Sequence, residues 1–184
     1  MLVNAAAGAV GSLLVQIARR AGADVVIAAV STEKKMEFVR KLGADVCINY
    51  TRPDWAAELH KATGGKGPDT IYESAGGAVT MASLQALAPL GEMVIYGALN
   101  IQSFQLGVPD LLCLIFKNQS ISGFALAPLL TNEALRSGLV ELFDLAVSDH
   151  LKTTSAGVFP LEHAAEAHRA LETRSTIGKV VLAA

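Results

Sequence analysis

Residues Ala6-Ala7-Gly8-Ala9-Val10-Gly11 follow a short branched-apolar run at 2–4 and open a segment in which Val10, Leu13, Leu14, Ile17, Ala18 and Ala21 recur at helical spacing. A glycine-rich turn between a strand and an amphipathic helix leaves a chain few options: the turn must be tight, and the helix must pack closely on the strand it leaves. Gly8 lets the backbone approach a pyrophosphate and Gly11 lets helix and strand meet, with Ala6 standing where the dinucleotide fingerprint has its first glycine. The helix N-terminus adds free N–H groups and the positive end of its dipole. Ala7, Gly8, Ala9 and Val10 are therefore candidate phosphate contacts.

Short apolar runs and helical stretches then alternate. Strands are expected at 2–4, 24–30, 46–48, 70–73, 92–97 and 120–123, with helices over 10–21, 32–41, 54–62, 78–87 and 110–116. Gly43 suits a helix C′ position, and Pro109-Asp110 suits a helix start. This alternation predicts an α/β fold of the Rossmann type, doubly wound, with a mostly parallel sheet and helices on both faces. The pattern changes after a long amphipathic helix at 131–148 carrying Leu135, Leu139, Leu142, Phe143 and Ala146 on one side. Residues 149–160 read as an exposed crossing, Pro160 as the first residue of a helix running to about 173, and Gly178 as the opening of a last strand at 179–182. Two units follow, 1–148 and 149–184.

Composition narrows the function classes. The chain has 184 residues, 52% hydrophobic and 17% charged, so it folds around a substantial core. Fifteen Lys and Arg against 17 Asp and Glu give a net charge of −2, which offers no electrostatic footprint for nucleic acid or an anionic membrane. Small molecules and other protein chains remain as partners. No basic leader and no long uninterrupted apolar run is seen, and Cys47 and Cys113 lie in unrelated apolar runs, as expected of buried thiols in a reducing cytoplasm.

The end of the second strand bears on cofactor choice. An NAD site places Asp or Glu there to hold the ribose hydroxyls, but this strand ends Ala28-Ala29-Val30-Ser31-Thr32. Ser31, Thr32 and Lys35 instead offer hydroxyls, helix N-terminal amides and an ammonium, which suit a 2′-phosphate and favour NADP(H). Glu73-Ser74-Ala75-Gly76 and Tyr96-Gly97 end the fourth and fifth strands at the carboxyl edge where such sheets bind ligands, which makes Ser74 and Gly97 candidates too.

With the glycine turn, Ile48-Asn49-Tyr50 and the stretch from Phe159-Pro160-Leu161-Glu162-His163 to His168-Arg169-Ala170-Leu171-Glu172, the chain resembles the zinc-independent NADPH:quinone oxidoreductases of the medium-chain dehydrogenase/reductase superfamily. The resemblance covers the cofactor-binding domain and the C-terminal tail of those enzymes, without their N-terminal catalytic domain. It implies that Lys35, Tyr50 and Arg174 grip the 2′-phosphate end of NADPH, and that Phe124 and Leu126 border the nicotinamide. It implies hydride transfer to a quinone or an α,β-unsaturated carbonyl, and a homodimer formed through the edge strand near 120–123. The tail at 149–184 would complete the absent catalytic domain. The first strand reads as clipped, which points to a fragment of something longer, or to a product that has lost its other half.

Other readings are a non-catalytic NADPH-binding module and the enoyl reductase domain of a polyketide synthase. An S-adenosylmethionine methyltransferase would want an acid closing the second strand, which is absent. His60, His150, His163 and His168 form no zinc-binding spacing with Cys or carboxylate, so no metal is expected. Gly64-Gly65-Lys66-Gly67 lacks the Walker spacing and reads as a turn, and no Gly-x-Ser-x-Gly elbow occurs. No catalytic residue is assigned.

Overall fold

The computed structural model describes residues 1–97 and 101–184. The elements are β1 (Leu2–Asn4), α1 (Ala9–Arg20), β2 (Ile27–Val30), α2 (Glu33–Lys41), β3 (Val46–Asn49), α3 (Trp55–Ala62), β4 (Thr70–Glu73), α4 (Ala78–Ala86), β5 (Glu92–Ile95), α5 (Val108–Lys117), β6 (Ser120–Gly123), α6 (Asn132–Val147), β7 (Ser155–Pro160), α7 (Ala164–Glu172) and β8 (Lys179–Ala183). β1 to β6 form one sheet in the order β3-β2-β1-β4-β5-β6, and every pairing in it is parallel.

Side-chain alternation along the strands builds two cores. Leu2, Ile27, Ile48, Ile71 and Met93 face Trp55 and Leu59 of α3 and Leu84 of α4. Val3, Ala28 and Val30 face the other way, against Val15 and Ala18 of α1 and Val39 of α2. Each fully buried large aliphatic contributes about 1.5–3 kcal/mol. β1 and β2 are buried at every residue, the reason they read as continuous apolar runs.

Three local devices set the chain's path. Gly11 is the contact between α1 and the turn before it: a Cβ there would lie 2.6 Å from the Ala5 carbonyl oxygen. Thr32 caps α2, its Oγ1 accepting from the Lys35 amide at 3.3 Å. Gly43 follows the α2 C-cap with φ +103°, the expected C′ role.

Sequence and structure part in several places. β2 covers only 27–30, because Asp45 Oδ2 accepts from the Val26 amide and closes the strand entrance with a side chain. The 149–160 stretch is not a plain crossing: β7 occupies its second half and pairs in parallel with β8 as a separate two-stranded sheet. Gly157, at φ +148° within a register shift, breaks the alternation that would have disclosed it. Pro160 ends β7, and a 3-10 turn at Leu161–His163 precedes α7, so the proline does not start the helix. No residue of α6 is buried, and its apolar side chains lie open, as do Ile115 and Phe116 of α5. Among the described residues, no helix is long and apolar enough to cross a membrane.

Candidate functional site

From β1 the chain winds to β2 and β3 on one side, then returns to place β4 on the other, so a crevice opens beyond the carboxyl ends of β1 and β4. A pocket lies there. Its walls are Ala5, Ala7 and Gly8 after β1, Val30 and Ser31 at the end of β2, Lys35 on α2, Tyr50 after β3, Ala75 after β4, and Leu171, Arg174 and Thr176 from the end of α7.

The glycine turn is drawn tight by the Gly8 amide donating to the Ala5 carbonyl at 3.0 Å, with Ala5 itself at φ +51°. Gly8 is the N-cap of α1 and lines the pocket, and no side chain caps that end of the helix.

Lys35 is buried, at 9% relative exposure. Its Nζ donates to the Arg174 carbonyl at 2.6 Å and to Ser31 Oγ at 3.2 Å, leaving one of an ammonium's donors for a ligand. Burial first, and the Arg174 charge second, hold this ammonium below the ordinary lysine value of 10.5. Arg174 stands at the rim with φ +54°, where α7 ends as its own amide and that of Ser175 bond back to Leu171 and Ala170. Among the described residues neither cation has a carboxylate partner. Two cations in one pocket with no carboxylate between them have the chemistry to hold an anion. The tail is tied to the glycine turn by the Gly178 amide, which donates to the Ala7 carbonyl at 2.8 Å.

The structure thus brings together Ala7, Gly8, Ser31, Lys35, Tyr50 and Arg174. Ala9 and Val10 sit in the first turn of α1, outside the lining, and Val10 is exposed. Ser74 and Gly97 pack on each other beyond β4 and β5, a Gly97 Cβ falling 2.6 Å from that of Ser74. Ser74 Oγ donates to the Tyr96 hydroxyl at 3.1 Å, and burial followed by the Glu73 charge raises that phenol, against the lowering effect of the Ser74 bond. Phe124 and Leu126 follow β6 and are exposed at 48% and 58%, away from the pocket. Ala5, Val30, Ala75, Leu171 and Thr176 were not expected as lining. Each lies within three residues of a predicted contact, so the signal for them was proximity to strand and helix ends. Among the described residues no group of three or more His, Cys, Asp and Glu side chains could hold a metal ion.

Comparison with known proteins gives a consistent picture. Residues 9–143 match the family model described as zinc-binding dehydrogenase. A 2-haloacrylate reductase from Burkholderia is 37% identical over 99% of this chain and 54% of its own length. The crystal structure of Escherichia coli quinone oxidoreductase complexed with NADPH superposes with a TM-score of 0.88 at 34% identity, covering 100% of this chain and 56% of that one. An NAD-dependent alcohol dehydrogenase superposes at 0.84 with 36% identity, covering 100% of this chain and 50% of that one. The chain spans about half the length of the relatives it matches.

Proposed function

The chain belongs to the zinc-binding dehydrogenase family, and from that premise we propose that it is the NADPH-binding half of a zinc-independent oxidoreductase acting on a quinone or an α,β-unsaturated carbonyl. The observation that carries this reading is the Lys35–Arg174 cation pair beside a β2 end that lacks a carboxylate. Relatives of this family use either nicotinamide cofactor, and those two features favour the phosphorylated one.

The residues present fit NADP(H). Gly8, Ala7 and the open amides of α1, with Ala9 and Val10 in its first turn, would take the pyrophosphate, and Lys35, Arg174, Ser31 and Tyr50 the 2′-phosphate end. Ser74, Gly97, Phe124 and Leu126 then border the nicotinamide side. Bound NADPH supplies the hydride, and the protein's part is to fix the dinucleotide so that one ring face meets the acceptor. Among the described residues no group of three or more His, Cys, Asp and Glu side chains is placed to hold zinc.

We assign 1–148 to the cofactor-binding domain and 149–184 to a tail that completes the acceptor-binding half. NADPH oxidation by quinone is expected to be absent for this chain alone and to appear when it is joined to the N-terminal half of the Burkholderia 2-haloacrylate reductase. Turnover by the chain alone would overturn the half-enzyme reading, and a joined protein that binds NADPH without turnover would favour a non-catalytic binding module. The two unpaired cysteines agree with a reducing cytoplasm. The open edge of β6 beside the exposed apolar face of α5 fits a homodimer contact. Light scattering at micromolar concentration is expected to read a dimer, and a monomer would contradict it.

A further inference from the structure

Below the pocket, at the carboxyl end of β4, lies a carboxylate that no step above uses. Glu73 is 1% exposed, and among the described residues it has no cation partner. It is held by neutral donors from three places. Oε1 accepts from the Gly76 amide at 2.8 Å and from Thr80 Oγ1 of α4 at 3.0 Å, and Oε2 accepts from Asn4 Nδ2 at the end of β1. Asn4 Nδ2 also donates to Ser83 Oγ at 2.8 Å, and Asn4 Oδ1 is left buried with no partner.

As a device for stability alone this is a poor arrangement. A buried charge without a counterion is costly, and an orphaned buried acceptor adds to that cost. What the network achieves is geometry. Asn4 immediately precedes Ala5, and Gly76 immediately follows Ala75, so the carboxylate joins the two chain segments that wall the pocket on either side of the crevice. The first segment holds a non-glycine residue in left-handed backbone, Ala5 at φ +51° before the glycine turn, and the second turns through Gly76 and Gly77 at φ +77° and +62° beyond β4. A carboxylate suits the position because it only accepts, and so can take all three converging donors at once.

We infer that Glu73 is a positioning residue for the cofactor, fixing the turns after β1 and β4 relative to each other so that pyrophosphate and nicotinamide are held in register. This rests on the NADP(H) reading of the pocket. The role is local to the crevice: the cations that would hold the 2′-phosphate reside on α2 and beyond α7, neither of which Glu73 touches.

Two ligands separate the possibilities. NADPH spans both turns, whereas adenosine 2′-phosphate engages only the Lys35–Arg174 end. In Glu73→Met, which keeps the volume and removes the acceptor, the NADPH Kd measured below the variant's melting transition is expected to rise about tenfold, or about 1.4 kcal/mol. The adenosine 2′-phosphate Kd is expected to stay within about twofold of the parent. Thr80→Val removes one donor without disturbing the charge, guards against a misfolded first variant, and is expected to show the same split at about threefold. If both ligands weaken alike, Glu73 is merely structural; if neither weakens, the network positions nothing. Either result overturns the inference. If the unsubstituted chain binds neither ligand, the NADP(H) reading itself is wrong, a failure visible before any variant is made.

Discussion

Replacing Lys35 with alanine is expected to weaken NADPH binding by at least about tenfold, about 1.4 kcal/mol, while NADH binding stays within about twofold. The size follows from the geometry. A hydrogen bond to a charged partner contributes about 1.5–3 kcal/mol, and the Lys35 ammonium is buried with no competing carboxylate among the described residues. NADH serves as the internal control, because Lys35 also holds the Arg174 carbonyl and its removal loosens the tail. A loss shared by both cofactors would mean that the tail, rather than the phosphate contact, was damaged. The pH dependence is a second readout. The bound phosphate favours the protonated ammonium, so binding takes up a proton as pH rises through the pKa of free Lys35, and affinity falls there. Because burial and Arg174 depress that pKa, the fall is expected to begin at lower pH than for an ordinary lysine at 10.5. On the acid side, affinity is expected to fall as the phosphate gains a proton near about pH 6. Lys35→Ala should abolish the alkaline fall and keep the acid one.

Gly11→Ala is expected to cost about 3 kcal/mol or more of stability, at the upper end of overpacking penalties, and to lower the melting temperature by about 6–12 °C. A Cβ at this site would lie 2.6 Å from the Ala5 carbonyl oxygen and 2.7 Å from the Ala6 Cα. Both obstacles are backbone, so no rotamer change relieves them. The helix must lift from the turn, which also moves the first amides of α1, and under the NADP(H) reading of the pocket NADPH affinity should fall more than tenfold with it. Gly138→Ala is the control. Nothing lies within 4 Å of a Cβ there, the position is inside α6, and the change is expected to be neutral or to stabilise by up to about 1 kcal/mol. A Gly11→Ala protein melting within about 2 °C of its parent would contradict the close-packing account.

The order of elements was legible because the apolar periods are strong. β1, β4 and β6 coincide with the runs that disclose them, but only β1 is buried at every residue; β4 alternates and the edge strand β6 is partly exposed. The glycine turn was legible because Gly11 answers a steric demand that no other residue meets, a Cβ there lying 2.6 Å from the Ala5 carbonyl oxygen. Ser31 and Lys35 could be read locally, as both follow β2 directly. Tyr50 and Arg174 could not. Their approach to Lys35 depends on the sheet order and on how α7 closes, and a family resemblance rather than spacing pointed to them.

What stayed hidden is long-range or irregular. Glu73 meets Asn4 across 69 residues, and no local pattern marks either as polar core. β7 was masked by the register shift at Gly157. The open faces of α5 and α6 read as amphipathic in sequence, which tells that a helix has an apolar side but not whether the chain supplies what covers it.

With two cations and no strand-end carboxylate, this pocket is expected to select the 2′-phosphorylated dinucleotide. Fluorescence titration of the unsubstituted chain with NADPH and NADH side by side tests it most directly. Micromolar NADPH binding, at least about tenfold tighter than NADH, is the expected result. Equal affinities for the two cofactors would contradict it, because Lys35 and Arg174 would then be facing something other than a phosphate.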